Sequence, residues 1–187
     1  MKLEQLLDKD KIFFTADTHF YHKNIIHFCN RPFKDVYEMN DKIIQNWNEI
    51  VPDDGIVFHL GDVALKAPQK GLNDILHQLN GTKYLIVGNH EKSALHTDYL
   101  KSHWETISDI LEINVDDDTI KHKQQKIVLC HYPMLAWNGS HRGSWNLFGH
   151  SHGNLGKNHA KAQLDVGVDC HNFYPISYEE VKNKINI

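Results

Sequence analysis

One pattern repeats through this chain and restricts its fold more than any other. Short apolar runs, rich in β-branched and aromatic residues, stop abruptly at small and polar ones. They are "KIFFTADTH" (11–19), "GIVFHLGD" (55–62), "KYLIVGNHE" (83–91), "KIVLCHYP" (126–133) and "WNLFGHSH" (145–152). Runs of this length bounded by Gly or Pro predict buried strands. Between them lie stretches with helical spacing. In "MNDKIIQNWNEIV" one apolar face is formed by Met39, Ile43, Ile44, Trp47, Ile50 and Val51. Leu72, Ile75, Leu76 and Leu79 do the same in "LNDILHQL". Residues 110–130 read as two strand-like stretches around a polar turn, hence a hairpin leading to His131. "QLDVGVD" (163–169) predicts a late strand, and "SYEEVKNKI" a closing helix that starts near Ser177. The N-terminal "MKLEQLLDKDK" is expected to form a short helix that leads into the first strand. Strands alternating with helices imply an α/β domain. With no internal repeat and no Pro/Gly/Ser-rich linker, residues 1–187 are expected to form one domain.

Composition narrows the class. A 41% hydrophobic content supports a real core. No apolar run approaches the roughly 20 residues of a membrane span, and the N-terminus lacks the apolar core of a signal peptide. A cytoplasmic protein with no membrane partner is the expectation. Cys29, Cys130 and Cys170 are odd in number, widely spaced and without a CxxC pair, which excludes a disulfide framework and a Cys-type zinc site. The net charge of −4 and pI near 6.4 leave no electrostatic footprint for a stable nucleic-acid complex. Small phosphorylated substrates stay open, because bound cations can supply the local positive charge.

In α/β folds ligands collect at the carboxyl ends of strands. Each of the five runs places potential metal ligands directly after its last apolar residue: Asp17 and His19, Asp62, Asn89 and His90, His131, then His150 and His152. Two residues at i and i+2 in extended chain point to one side. The mixed nitrogen and oxygen set suits manganese, iron, zinc or nickel better than calcium. It is too large for one tetrahedral ion, whereas two ions sharing a carboxylate accommodate it.

Taken in order, Asp17-Thr18-His19, Gly61-Asp62, Gly88-Asn89-His90-Glu91, His131 and Gly149-His150-Ser151-His152 resemble the motifs of the calcineurin-like metallophosphoesterase superfamily. More narrowly, the chain resembles the small single-domain phosphoesterases of bacteria and their phages. The resemblance implies a four-layer α/β/β/α sandwich with a dimetal site at the C-terminal ends of the strands. It assigns Asp17, His19, Asp62 and His152 to one metal, and Asp62, Asn89, His131 and His150 to the other, with Asp62 as the bridge. His90 matches the histidine that contacts phosphate together with Asn89 and protonates the leaving group, and Glu91 is placed to orient it. The implied cofactors are two divalent ions, manganese first, with iron, zinc, nickel or cobalt as alternatives. The implied activity is a metal-dependent phosphoesterase, with small or nucleotide-like phosphodiesters ahead of monoesters. A nuclease is the rival within that class, and a non-catalytic metal-bearing scaffold the rival outside it.

Two further stretches leave from ligand-bearing strand ends and are expected to line the mouth of the site. Residues 19–33 carry His22, Asn24 and Arg31, and residues 136–145 carry His141 and Arg142. Arg31 and Arg142 are candidates for substrate contact, since the arginine fork suits phosphate. Asp169 and His171 are weaker candidates. His59, inside the run "IVFHL", reads as a satisfied core histidine, and His77, His96, His103, His122 and His159 as surface residues. One departure from the resemblance is the absence of an acidic residue after Gly61-Asp62, where the chain continues Val63-Ala64-Leu65. No insertion is long enough for a cap domain, so an open site is expected.

Overall fold

The computed structural model of the protein describes residues 1–156 and 161–185. It is an α/β structure built on two five-stranded sheets. The first contains β1 (Lys2–Asp8), β6 (Ile110–Asp116), β7 (Gln124–Cys130), β8 (Trp145–Phe148) and β9 (Gln163–Asp165), in that order. The second has the order β10 (Ile176–Ser177), β2 (Ile12–Thr15), β3 (Ile56–His59), β4 (Thr82–Ile86) and β5 (Thr106–Ser108). Among the described residues only the β6–β7 and β10–β2 pairs are antiparallel.

The continuous apolar runs have a simple cause: the strands of the second sheet are buried on both faces. Ile12 and Phe14, Phe58, and Tyr84 and Ile86 turn inward, onto a core between the sheets. Leu111, Ile113, Val115, Ile127, Leu129, Trp145 and Leu147 of the first sheet complete it. The alternate residues Phe13, Val57 and Leu85 turn outward onto α2 (Val36–Ile50) and α3 (Gln69–Gln78). Those helices present the expected apolar faces, with Met39, Ile43 and Trp47 from α2 and Leu72, Ile75 and Leu76 from α3. Asp35 caps α2 by accepting from the backbone N–H groups of Tyr37 and Glu38, both at 2.9 Å. Short helices α1 (Ile25–Phe28) and α4 (Asp98–Lys101) extend that layer. The closing helix α5 (Tyr178–Ile185) begins at a capping box: Glu180 accepts from the Ser177 N–H, and Ser177 Oγ accepts from the Glu180 N–H. Its Tyr178 and Val181 close the inter-sheet core.

The N-terminus corrects an expectation. Lys2–Asp8 is strand β1, not a helix, and pairs in parallel with β6. Leu3 and Leu7 pack onto the inter-sheet core. The register shifts between Lys2 and Leu6, so a leucine spacing that fits one helical face also fits a bulged edge strand. His159 lies outside the described residues. No described helix is long and apolar enough to cross a membrane.

Candidate metal centre

Parallel pairing brings the carboxyl ends of β2, β3 and β4 to one edge of the second sheet, and those of β7 and β8 to the facing edge of the first. Backbone contacts join the two edges: the Val168 N–H reaches the Ala16 carbonyl at 3.0 Å, and the His150 N–H donates to Asp17 Oδ2 at 2.8 Å. Asp17, His19, Asp62, Asn89, His90, His131, His150 and His152 all arrive there from loops that follow these strands.

They form two clusters. Asp17, His19 and His152 place one ligand atom each within 4.8 Å of one another, and so do Asp62, His131 and His150. Asp62 lies between the clusters, its Oδ2 3.6 Å from His19 Nε2 and 3.6 Å from His131 Nε2. That is too long for a hydrogen bond. It is close to the roughly 3–3.5 Å that separates neighbouring donors each about 2.0–2.1 Å from one cation. Asn89 Oδ1 lies 3.1 Å from His131 Nε2, which brings it into the second cluster.

Hydrogen bonds fix two of the imidazoles in orientation. His131 Nδ1 donates to the Leu60 carbonyl at 2.7 Å, leaving Nε2 with its lone pair toward Asp62. His152 Nδ1 donates to Asp169 Oδ2 at 2.6 Å. His19 Nε2 is buried and, among the described residues, has no hydrogen-bond partner. An unmade bond at such an atom costs about 1–3 kcal/mol, unless a cation takes its lone pair.

The charge balance agrees. Burial, with Asp165 and Asp62 close by, pushes the Asp17 carboxyl well above the usual carboxylate range. Burial holds the His19 imidazole far below its usual value, hence neutral. Burial also lowers His131, although Asp62 opposes the shift. Crowded carboxylates beside neutral imidazoles fit a divalent cation, which would relieve the repulsion between the former and bind the latter. Backbone strain points the same way. Asp17, His19, Asp62, His150 and His152 all adopt left-handed conformations, with φ between 47° and 67°. Each costs about 1–2 kcal/mol, and such residues gather at functional sites. Two glycines leave the necessary space. A Cβ on Gly61 (φ 95°) would stand 2.6 Å from His131 Nδ1, and one on Gly149 2.5 Å from the Ala16 Cβ.

His90 is half-buried at the mouth, its ring centroid 5.7 Å from that of His19 and 6.4 Å from that of His22. Its backbone N–H donates to Asp62 Oδ1 at 2.9 Å, which ties this loop to the central carboxylate. Glu91 does not orient the His90 ring. Its oxygens accept from the backbone N–H groups of Val63 (2.8 Å), Asp62 (2.9 Å) and Gly88, so it clamps the β3 and β4 loops together. Burial, opposed by those three bonds, pushes its carboxyl up to about 7.

Neither arginine lies where the sequence suggests. Arg31 is buried beneath the ligands: its Nε and Nη2 donate to the Asp169 carboxylate at 2.8 Å each, Nη2 to the Asp17 carbonyl at 2.7 Å, and Nη1 to the Thr18 carbonyl at 3.1 Å. Arg142 is at the opposite end of the first sheet, in a groove with Lys121, His122, Gln125 and Lys126. The reason is topological. A crossover between parallel strands leaves from the ligand end, but returns to the far end before β8 begins. His59 is the satisfied core histidine: the Gly61 N–H donates to its Nδ1 at 3.2 Å, and its Nε2 bonds to Thr18 Oγ1 at 2.9 Å.

Sequence reasoning missed two contributors, Asp165 and Tyr132, while a third, His22, lies near the site as its segment suggests. Asp165 holds the Gly149–Gly153 loop by accepting from Ser151 Oγ at 2.5 Å and the Gly153 N–H at 3.0 Å. Tyr132, 45% exposed, places its ring 4.8 Å from that of His150. His22 lies 3.4 Å from His19, Nδ1 to Nδ1. The late run "QLDVGVDCH" carries two carboxylates at a strand end, the sequence signal that marks Asp165 and Asp169.

Fold and site together define an α/β protein with two facing sheets and a candidate metal centre at their joined carboxyl edges. No family model matches the chain. The chain is 34% identical over 175 residues to the uncharacterized protein MJ1445 of Methanocaldococcus jannaschii, covering 90% of this chain and 88% of that protein, and it belongs to that protein's family. It is also similar to the Gene 66 protein of Mycobacterium phage L5, 24% identical over 194 residues, covering 92% and 93% of the two. Among solved structures, the protein of unknown function AQ665 from Aquifex aeolicus shares the fold, with a TM-score of 0.70 at 24% identity over 92% of this chain and 97% of that one.

Proposed function

We propose that this protein is a divalent-metal-dependent phosphoesterase that hydrolyses small or nucleotide-like phosphodiesters. The observation that carries the reading is the position of Asp62 Oδ2, at 3.6 Å from the Nε2 of both His19 and His131. Asp17, His19, Asp62 and His152 would hold one cation, and Asp62, Asn89, His131 and His150 the other. Paired cations in such a site neutralise phosphate oxygens and lower the pKa of a bound water, as in other two-metal hydrolases.

The chain's own residues do the rest. Asn89 and His90 project beside the clusters, where an amide N–H and an imidazole N–H can orient a phosphate. His90 supplies the proton that a poor alkoxide leaving group needs, a contribution of about 10²–10⁴-fold. Glu91 keeps the Asp62 and Gly88 loops together, so that His90 stays in register with Asp62. In this reading the two sheets and the α2–α3 layer are three layers of an α/β/β/α sandwich, with α5 along the β9 and β10 edges in place of the fourth. The absence of a cap leaves the mouth open, and the three free thiols suit a reducing cytoplasm.

The test is metal stripping followed by turnover of bis(4-nitrophenyl) phosphate. Manganese should restore more activity than magnesium or calcium, because four of the seven proposed ligands are histidines. Two tightly bound manganese ions with no turnover of any phosphodiester or monoester would refute the enzyme and leave a metal-bearing scaffold.

A further inference from the structure

His152 stands between two sets of donors. One contains Asp17 and His19; the other contains Cys29 and Asp169, and within each set the ligand atoms lie inside 4.8 Å of one another. The metal centre proposed above uses only the first. Something has to stop the second from competing for the same imidazole.

Arg31 occupies that role by position. Its guanidinium forks onto the Asp169 carboxylate through two bonds of 2.8 Å, while Asp169 Oδ2 accepts from His152 Nδ1 at 2.6 Å. The Arg31 side chain is 0% exposed and that of Asp169 is 9% exposed, so this pairing is shielded from solvent. A guanidinium keeps its proton throughout the accessible pH range. The fork therefore occupies and neutralises the carboxylate of the second set, and a metal ion entering there would have to displace a buried guanidinium from it. The remaining Arg31 donors hold the Asp17 and Thr18 carbonyls, the backbone that carries the first set. With Nδ1–H directed to Asp169, His152 presents a bare Nε2.

We propose that Arg31 and Asp169 form a positioning pair that commits His152 to the Asp17 and His19 cation and bars Cys29 from the metal centre. The proposal rests on the metal-centre reading and adds which residues decide ligand choice. Without the guanidinium, Cys29, His152 and Asp169 become a donor set of the kind that takes thiophilic ions.

The test uses the metal-stripped full-length protein titrated with Co²⁺, followed by calorimetry and by absorption. The wild type should bind two ions and show no thiolate-to-cobalt charge-transfer band. Asp169→Asn should weaken one ion about 10–100-fold and leave the other unchanged, the scale expected for loss of a group that orients a ligand. Arg31→Met should weaken the same ion and gain the thiolate band, which should vanish in the Arg31→Met, Cys29→Ser double variant. Arg31→Lys keeps the charge without the fork, and should weaken that ion without producing the band. It also keeps the test decisive should the methionine variant fail to fold. A thiolate band in the wild type, or both ions bound with unchanged affinity in Asp169→Asn and Arg31→Lys, overturns the proposal. A wild type that binds no cobalt at all overturns instead the metal-centre reading beneath it.

Discussion

Asp17 and Asp117 are both fully buried carboxylates, at opposite ends of the sheets, and their surroundings could hardly differ more. Asp117, in the turn after β6, accepts from Lys182 Nζ at 2.6 Å, Thr119 Oγ1 at 2.6 Å, Tyr178 Oη at 2.8 Å and the Thr119 N–H at 3.0 Å. Burial alone would raise its pKa; the bonds from Lys182, Thr119 and Tyr178 overcome it and hold the carboxyl well below the usual range. Among the described residues Asp17 accepts only from the N–H of His150, and its near carboxylates Asp165, Asp62 and Asp169 add to the burial that raises it. Arg31 reaches the Asp17 carbonyl but not its carboxylate. Where the chain supplies its own counter-charge, the buried carboxylate ties elements together. Where it withholds one, the carboxylates stay crowded beside neutral imidazoles, the setting in which the proposed cations would be held.

The largest effect that can break this comparison is expected at Asp62. Asp62→Asn removes the charge shared by both clusters, so it should lose both metals and essentially all turnover, whereas His152→Ala should mainly weaken one. Metal analysis of the purified variants decides, and two ions retained at normal affinity in Asp62→Asn sink the bridging role. Next comes His90, which belongs to neither cluster. His90→Asn should keep both metals while losing roughly 10²–10⁴-fold in turnover of a diester with an alkoxide leaving group. The loss should be smaller with nitrophenolate, which needs little protonation. Equal losses on both substrates would make His90 a phosphate contact only. A smaller effect is expected at the far end. Lys182→Met leaves Asp117 buried without its cation and should destabilise the protein by about 3 kcal/mol, with metal affinity unchanged. Added manganese should raise the melting temperature of this variant and of the wild type alike, and should not do so in Asp62→Asn. Manganese that stabilises all three equally would show that it binds elsewhere.

Legibility in the sequence divides along the same line. The ligand-bearing strand ends could be read because two-sided burial makes each strand a continuous apolar run, and the polar residue that stops it is conspicuous. The helices α2 and α3 could be read from one-sided burial, and the capping box at Ser177 from local chemistry. Residues whose roles depend on long-range contact could not. Leu3, Leu6 and Leu7 fit a helix until β6 lies beside them. Arg31 looked like a phosphate ligand because nothing local reveals that Asp169, 138 positions away in sequence, receives its fork. Arg142 follows a ligand in sequence but ends at the other side of the sheet, because the β7–β8 crossover has to run back along it. Glu91 sits next to His90, and adjacency suggested a partner; the backbone N–H groups of two loops claimed its oxygens instead.

The smallest effect expected is also the one that contrasts the two ends most directly, the pH dependence of stability without metal. Glu91 has its carboxyl pushed up from the ordinary 4.5 to about 7, and that of Asp17 is pushed well above 3.8. Between the ordinary and the raised values, the folded chain holds protons that the unfolded chain has released. Stability from these groups is then full at acidic pH and falls as pH rises through that window. Asp117 has the opposite sign. Its depressed pKa contributes stability above about 3.8, lost only as pH falls below that value. The imidazoles of His19, His59 and His131, held low by burial, oppose this slope below about 6.5, so the effect is read as a difference: in chelator, the stability of the wild type to urea relative to Glu91→Gln should fall from pH 5 to pH 7.5 by something on the order of 1–3 kcal/mol. Saturating manganese should shrink that difference, because cations held by Asp62 would favour the ionised form of Glu91, whose oxygens clasp the Asp62 loop. Lys182→Met should leave this neutral-side slope intact and alter only the acid limb. If the difference between wild type and Glu91→Gln changes with pH identically in chelator and in manganese, the carboxylates at this end do not answer to a cation, and the contrast with Asp117 has another origin.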